Sequence, residues 1–165
     1  MQRNKTIPDV TIVLHNIRSA HNVGSIFRSA DAFGAGLVIC SGYTPTPVDR
    51  FGRVRRDITK TALGAEQTIA WKRVTGIGRA LDGFKDEGRA LVAVEQDERA
   101  VDYRTLAIEV PAVFIFGNEV RGLSRSIRER ADRVAQIPMR GSKESLNVSV
   151  AAGIILARRD EMLIR

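Results

Sequence analysis

Residues 10–40, VTIVLHNIRSAHNVGSIFRSADAFGAGLVIC, decide the fold. The runs Val10–Leu14 and Leu37–Cys40 are apolar and β-branched, and each reads as a buried strand. Between them, Val23, Ile26, Phe27 and Ala30 recur at i, i+3, i+4 and i+7, the buried stripe of a helix over Asn22–Phe33 with Asn22 as its N-cap. Arg28 falls off that stripe. Gly24 and Ser25, one turn earlier, share its face and leave the guanidinium uncrowded. Taken alone, Arg28 reads first as a solvated surface charge, because most charged residues face water. Its second reading is an anion holder.

The alternation continues along the chain. Strands fit near Thr68–Trp71, Ala90–Val94, Ala112–Phe116 and Val134–Ile137. Helices fit Val74–Glu87, Ser124–Arg130 and a closing segment from about Asn147 to Ile164. Alternating strands and helices predict an α/β fold, a parallel sheet covered by helices on both faces. Ligands of such sheets bind outside the carboxyl ends of the strands. The connection Ser41–Lys60, with Pro45 and Pro47, reads as a structureless loop of about 20 residues, either a mobile linker or, because it carries Arg50, Arg53, Arg55 and Arg56, an RNA-facing loop that orders on binding. The closing helix is apolar nearly all round from Val148 to Ala157, more than so small a domain can surround, which predicts a homodimer.

The chain has 165 residues, enough for one domain over 1–165 with a short N-terminal extension at 1–9. Composition, 44% hydrophobic and 27% charged, is that of a globular protein. One cysteine excludes an internal disulfide, and no apolar run reaches membrane-spanning length, so a cytoplasmic protein without a membrane partner is expected. The formal net charge is +7, and arginine far outnumbers lysine. Arg50, Arg53, Arg55, Arg56 and Lys60 form one cluster; Arg121, Arg125, Arg128, Arg130, Arg133, Arg140 and Lys143 form another. Clustered guanidiniums suit bidentate phosphate contacts and point to nucleic acid, with a generally basic surface as the alternative.

Several familiar sites are absent. Gly76-Ile-Gly-Arg-Ala-Leu81 keeps only two of three fingerprint glycines and falls within a helix, and there is no phosphate-binding Walker loop. Cys40, His15 and His21 offer no metal-ligand spacing, and Cys40 at a strand end reads as core. Two further polar segments each leave a strand. Val113–Ser124, VFIFGNEVRGLS, turns at Gly117, where glycine permits close backbone approach. Ile137–Asn147, IPMRGSKESLN, leads into the closing helix, with Ser145 or Asn147 placed to cap it.

Together the three segments, Asn22-Val-Gly-Ser-Ile-Phe-Arg28, Phe116-Gly-Asn-Glu-Val-Arg-Gly-Leu123, and Ile137-Pro-Met139 with Ser145-Leu-Asn147, resemble the three motifs of the SpoU/TrmH family of RNA ribose methyltransferases, in the SPOUT superfamily. The resemblance runs from Val10 to the closing helix, without the extra N-terminal RNA-binding domain of many relatives. It implies a C-terminal deep trefoil knot (SPOUT, alpha-beta knot) holding S-adenosylmethionine. By position, Val94, Gly117, Ile137, Met139, Ser145 and Leu146 are the implied cofactor contacts. Arg28, Asn22, Glu119, Ser145 and Asn147 are the implied catalytic set, acting on a ribose 2′-hydroxyl of tRNA or rRNA at a dimer interface, without a metal. Arg28 matches an arginine proposed as base in the family. Arginine is effectively never deprotonated, so a charge that stabilises the forming alkoxide is the favoured role. Glu119 should organise the pocket, with Arg28 a candidate partner. Thr61-Ala-Leu-Gly-Ala65 also resembles a stretch of the branch acting on tRNA or rRNA. A base-modifying relative and a non-catalytic RNA-binding module remain the alternatives.

Overall fold

A seven-stranded sheet, parallel throughout its described pairings, organises the chain, and its central strands are buried on both faces. The computed structural model describes residues 9–107 and 111–163. Residues 1–8 of the expected N-terminal extension, and Ile164, lie outside them. In chain order the elements are β1 (Val10–His15), α1 (Ala20–Ala32), β2 (Leu37–Ser41), α2 (Arg56–Ala62), α3 (Ala65–Thr68), β3 (Ala70–Val74), α4 (Ile77–Asp86), β4 (Ala90–Val94), β5 (Val101–Asp102), β6 (Ala112–Phe116), α5 (Arg125–Arg130), β7 (Arg133–Gln136) and α6 (Val148–Leu163). Strand order is β3-β2-β1-β6-β4-β7-β5.

Period-two alternation divides the core. Ile12, Leu14, Phe114 and Phe116 face α1, α2 and α6, where Phe27, Ile58 and Leu156 meet them. Val13, Val113 and Ile115 face the other way and pack with Leu81 of α4 and Ile127 of α5. Both faces of β1 and β6 are therefore apolar, which explains their unbroken hydrophobic runs. Cys40 lies in this core. Burial pushes its thiol up to about 12, so it packs as a small hydrophobe and supplies no thiolate.

Several expected boundaries move. Ser19, extended at φ −82° and ψ 114°, caps α1 by accepting from Asn22 N at 3.2 Å; Asn22 is thus the third helical residue, not the cap. The Ser41–Lys60 connection is not structureless: Val48 and Val54 form an antiparallel bridge, and α2 begins at Arg56. Thr68 ends α3 and Val74 ends β3, so the third strand and fourth helix both start later than expected. Gly24 is buried. A Cβ there would meet Thr61 Oγ1 at 2.1 Å and the Ile58 carbonyl oxygen at 2.4 Å. Gly24 therefore lets α2 cross α1 closely and does not serve to clear a face for Arg28. Within this chain α6 buries Val148, Ala152, Ile155 and Leu156, while Val150 stays 49% exposed.

Candidate active site

Val94, Phe116 and Gln136 are the last residues of three adjacent strands, and all three line one cavity of about 150 Å³. The polar segments that follow β6 and β7 close it. Gly117, Ile137, Met139, Ser145 and Leu146 line this same cavity, together with Glu95, Glu119 and Val148. Its walls carry the carboxylates of Glu95 and Glu119 and no lysine, arginine or histidine. Such a lining suits an apolar ring, and gives a phosphate-bearing cofactor no cationic side chain to pair with.

The turn after β6 is built tightly. A Cβ on Gly117 would sit 2.6 Å from Gly122 C and 2.7 Å from Leu123 N, both backbone atoms. Gly122, in the left-handed region at φ +63°, folds the chain back so that its N–H meets the Asn118 carbonyl at 2.9 Å. Asn118 Oδ1 accepts from Val120 N and Arg121 N at 3.0 and 2.8 Å. Glu95 Oε2 accepts from Leu123 N at 2.7 Å and anchors the far side. Glu95 was not among the sequence-derived residues; its position one residue past a strand's carboxyl end was the available signal. Gln96 Nε2 donates to the Ile137 carbonyl at 3.0 Å, tying the ends of β4 and β7 together.

At the mouth, one chain of hydrogen bonds joins all three polar segments. Glu119 accepts from Arg18 N, Ser19 N and Asn22 Nδ2 at 3.0, 3.1 and 3.1 Å. Burial pushes its carboxyl up, but those donors outweigh it and hold Glu119 below the usual carboxylate range. An ionised carboxylate only accepts, so Asn22 must present its amide nitrogen to Glu119 and its oxygen outward. That oxygen accepts from Asn147 Nδ2 at 3.0 Å. Asn147 Oδ1 in turn accepts from Ser149 N at 2.8 Å and Ser149 Oγ at 2.7 Å, capping α6. Every amide orientation in the chain is fixed by its neighbour.

Arg28 does not pair with Glu119. It lies six residues beyond Asn22, about 9 Å along the helix by its rise, is exposed, and lines a separate shallow groove with Lys60, Thr61 and Ser149. Ser145 is exposed at the rim of the cavity at the strand ends. Behind the mouth runs a second network missed at the sequence level. His15 Nε2 faces Asn16 Nδ2 at 3.0 Å and so accepts; its Nδ1 then donates to Ser41 Oγ at 2.8 Å. Asn16, at φ 57°, accepts Asn118 Nδ2 on its carbonyl at 2.9 Å.

Fold and site together define an α/β protein with an acidic-walled ligand pocket at the carboxyl edge of a parallel sheet. The chain belongs to the SpoU rRNA Methylase family, which matches residues 9–157. A 23S rRNA (guanosine-2′-O-)-methyltransferase, RlmB of Coxiella burnetii, is 38% identical over 158 residues, covering 93% of this chain and 59% of that protein. The chain thus spans about three-fifths of that relative's length. The crystal structure of the A. aeolicus TrmH/SpoU tRNA modifying enzyme matches with a TM-score of 0.82 at 29% identity, over 95% of this chain and 76% of that one. An AdoMet-bound rRNA methyltransferase from Sinorhizobium meliloti matches with a TM-score of 0.84 at 28% identity, over 95% of this chain and 57% of that one. Among the described residues no cluster of His, Cys, Asp and Glu could hold a metal, and no helix is long and apolar enough to cross a membrane.

Proposed function

We propose that this chain is a catalytic domain that transfers the methyl group of S-adenosylmethionine to a ribose 2′-hydroxyl of tRNA or rRNA. The observation that carries the reading is the Glu119–Asn22–Asn147 hydrogen-bond chain, set at the mouth of an acidic-walled pocket. The pocket suits the donor's base: Val94, Ile137 and Leu146 offer it apolar walls, and Gly117 lets the turn that closes the pocket fold tightly against Gly122 and Leu123. S-adenosylmethionine supplies a sulfonium methyl, an electrophile that needs no metal.

The residues of this chain would then do the rest. Asn22, locked by Glu119, and Asn147, locked by its cap, orient the ribose for in-line approach. Ser145, at the rim, contacts the target nucleotide. Arg28, permanently charged, would stabilise the alkoxide that forms as the hydroxyl loses its proton, from a groove of its own that must be brought against a pocket mouth by the dimer. Because Arg28 opens onto a groove with Ser149 and half-exposed Val150, a homodimer packed across α1 and α6 is part of the proposal. So is a trefoil-knotted path for the segment leading to α6. Calorimetric titration with S-adenosylmethionine tests the reading: saturable binding is expected, and no binding at millimolar ligand overturns it.

A further inference from the structure

We propose that the tip of the β2–α2 connection is a stacking platform for an unpaired RNA base, set beside the cofactor pocket. The proposal rests on the RNA substrate proposed above.

Phe51 is 67% exposed and belongs to neither core cluster, so the fold gains nothing from its ring. Its exposure is built in. Asp49 Oδ1 accepts from Phe51 N at 2.8 Å and Arg53 N at 2.9 Å, Asp49 N donates to the Arg53 carbonyl at 2.9 Å, and the Val48–Val54 bridge closes the base of the hairpin. Gly52, at φ +80°, makes the turn that lifts the ring outward. The guanidinium carbons of Arg50 and Arg53 stand 4.8 and 5.1 Å from the ring centroid. With both guanidiniums laid over the ring, the tip offers planar surfaces, aromatic and cationic, of the kind on which unpaired bases and their phosphates are gripped without regard to sequence.

Charge supports the same occupant. One depression holds Tyr43, Phe51, Arg50, Arg53, Arg55 and Arg73, with Asp49 its only acid. Asp49 pairs with Arg53, and Asp57 with Arg55. Arg50 and Arg73 make no ion pair among the described residues, which leaves two cations for phosphates. Four arginines against one acid in the depression favour a polyanion over a protein partner of mixed charge. A duplex would keep its bases stacked and out of reach of the ring. Tyr43, 56% exposed, links the platform to the site: its hydroxyl accepts from Asn118 Nδ2 at 2.9 Å, in the turn that walls the cofactor pocket. A base stacked on Phe51 would therefore hold the strand next to the reacting nucleotide.

The test is fluorescence anisotropy with a labelled single-stranded dodecaribonucleotide of mixed sequence, using the 165-residue chain. Phe51→Ala should weaken binding about 10-fold, the loss of one base–aromatic stack. Phe51→Trp should stay within about twofold, and Phe51→Leu, apolar but without a π-face, should fall with the alanine variant. Arg50→Ala should lower the slope of log affinity against log salt by about 0.7, one phosphate contact on a single strand. Affinity for S-adenosylmethionine, titrated in parallel, should be the same in every variant and reports intact folding. The proposal is overturned if Phe51→Ala binds the dodecamer like the parent, if Phe51→Leu does, or if an equal-length duplex binds as tightly. Failure of the parent to bind S-adenosylmethionine would instead sink the methyltransferase reading, and the dodecamer titrations would still decide the platform.

Discussion

Replacing Gly117 by alanine should dismantle the candidate cofactor pocket. The three atoms nearest an added Cβ, at 2.6, 2.7 and 2.8 Å, all belong to the backbone of Gly122 and Leu123, so no side chain can swing aside. Ordinary contact begins at 3.4 Å, and the turn must therefore retreat by about 0.8 Å. That retreat stretches the 2.7 Å bond from Leu123 N to Glu95 Oε2 beyond useful length. Overpacking costs about 1–3 kcal/mol and a lost bond to a charged acceptor about 1.5–3 kcal/mol, so a destabilisation of about 3–5 kcal/mol is expected. For a domain of this size the melting midpoint should fall by roughly 6–20 °C. A displacement of this size at a reacting centre should also lower methyl transfer about 100-fold. Differential scanning fluorimetry reads the first effect, transfer of labelled methyl from S-adenosylmethionine to RNA the second, and calorimetry with S-adenosylmethionine reports whether the pocket still binds. Gly141→Ala is the control: nothing lies within 4 Å of its Cβ position, so it should melt within a few degrees of the parent. If Gly117→Ala melts and binds ligand like the Gly141 variant, close backbone approach does not hold the turn.

Three further outcomes follow from the site. Glu119→Gln leaves an amide facing donors that need an acceptor and frees Asn22 to flip, so its effect should be coupled to Asn22→Ala by about 1 kcal/mol in a double-mutant cycle of urea unfolding; additivity within about 0.3 kcal/mol would contradict the shared network. Arg28→Lys should retain partial methyl transfer across pH, as a charge clamp does, with Arg28→Ala far lower; equal loss in both would count against the alkoxide-stabilising role. Burial holds the His15 imidazole below its ordinary 6.5, so the unfolded chain takes up that proton first. Stability from His15 is thus full above about pH 6.5 and lost as pH falls through its folded value. Melting curves from pH 8 to 5 should show this slope, and His15→Gln should abolish it.

Much of the frame was legible because burial on both faces leaves a strand no polar residue to interrupt it: Val113-Phe-Ile-Phe116 could be little else. The polar segments were legible as three motifs leaving strands, and the structure brings Asn22, Glu119 and Asn147 into one hydrogen-bonded chain. The short α2 was not legible. Only Ile58 and Ala62 of its seven residues are buried, and an arginine cluster masks that pair. Gly24 was misread for a related reason, since its partner is the Ile58–Ala62 backbone, which no pattern within α1 announces. Asn22 and Ser19 are both good caps, and the extended backbone at Ser19, not composition, decided between them. Glu119 and Arg28 looked complementary by charge, but the helix between them sets them apart, and backbone N–H groups at the start of α1 claim the carboxylate.

The central claim, that this pocket and these three segments methylate a ribose hydroxyl, is tested most directly on the product. The chain is incubated with methyl-labelled S-adenosylmethionine and with total tRNA or rRNA, and the RNA is digested to nucleosides for mass spectrometry. The account predicts label on 2′-O-methylribonucleosides, lost in Arg28→Ala. Label confined to a nucleobase, or none from a protein that binds the cofactor, would contradict it.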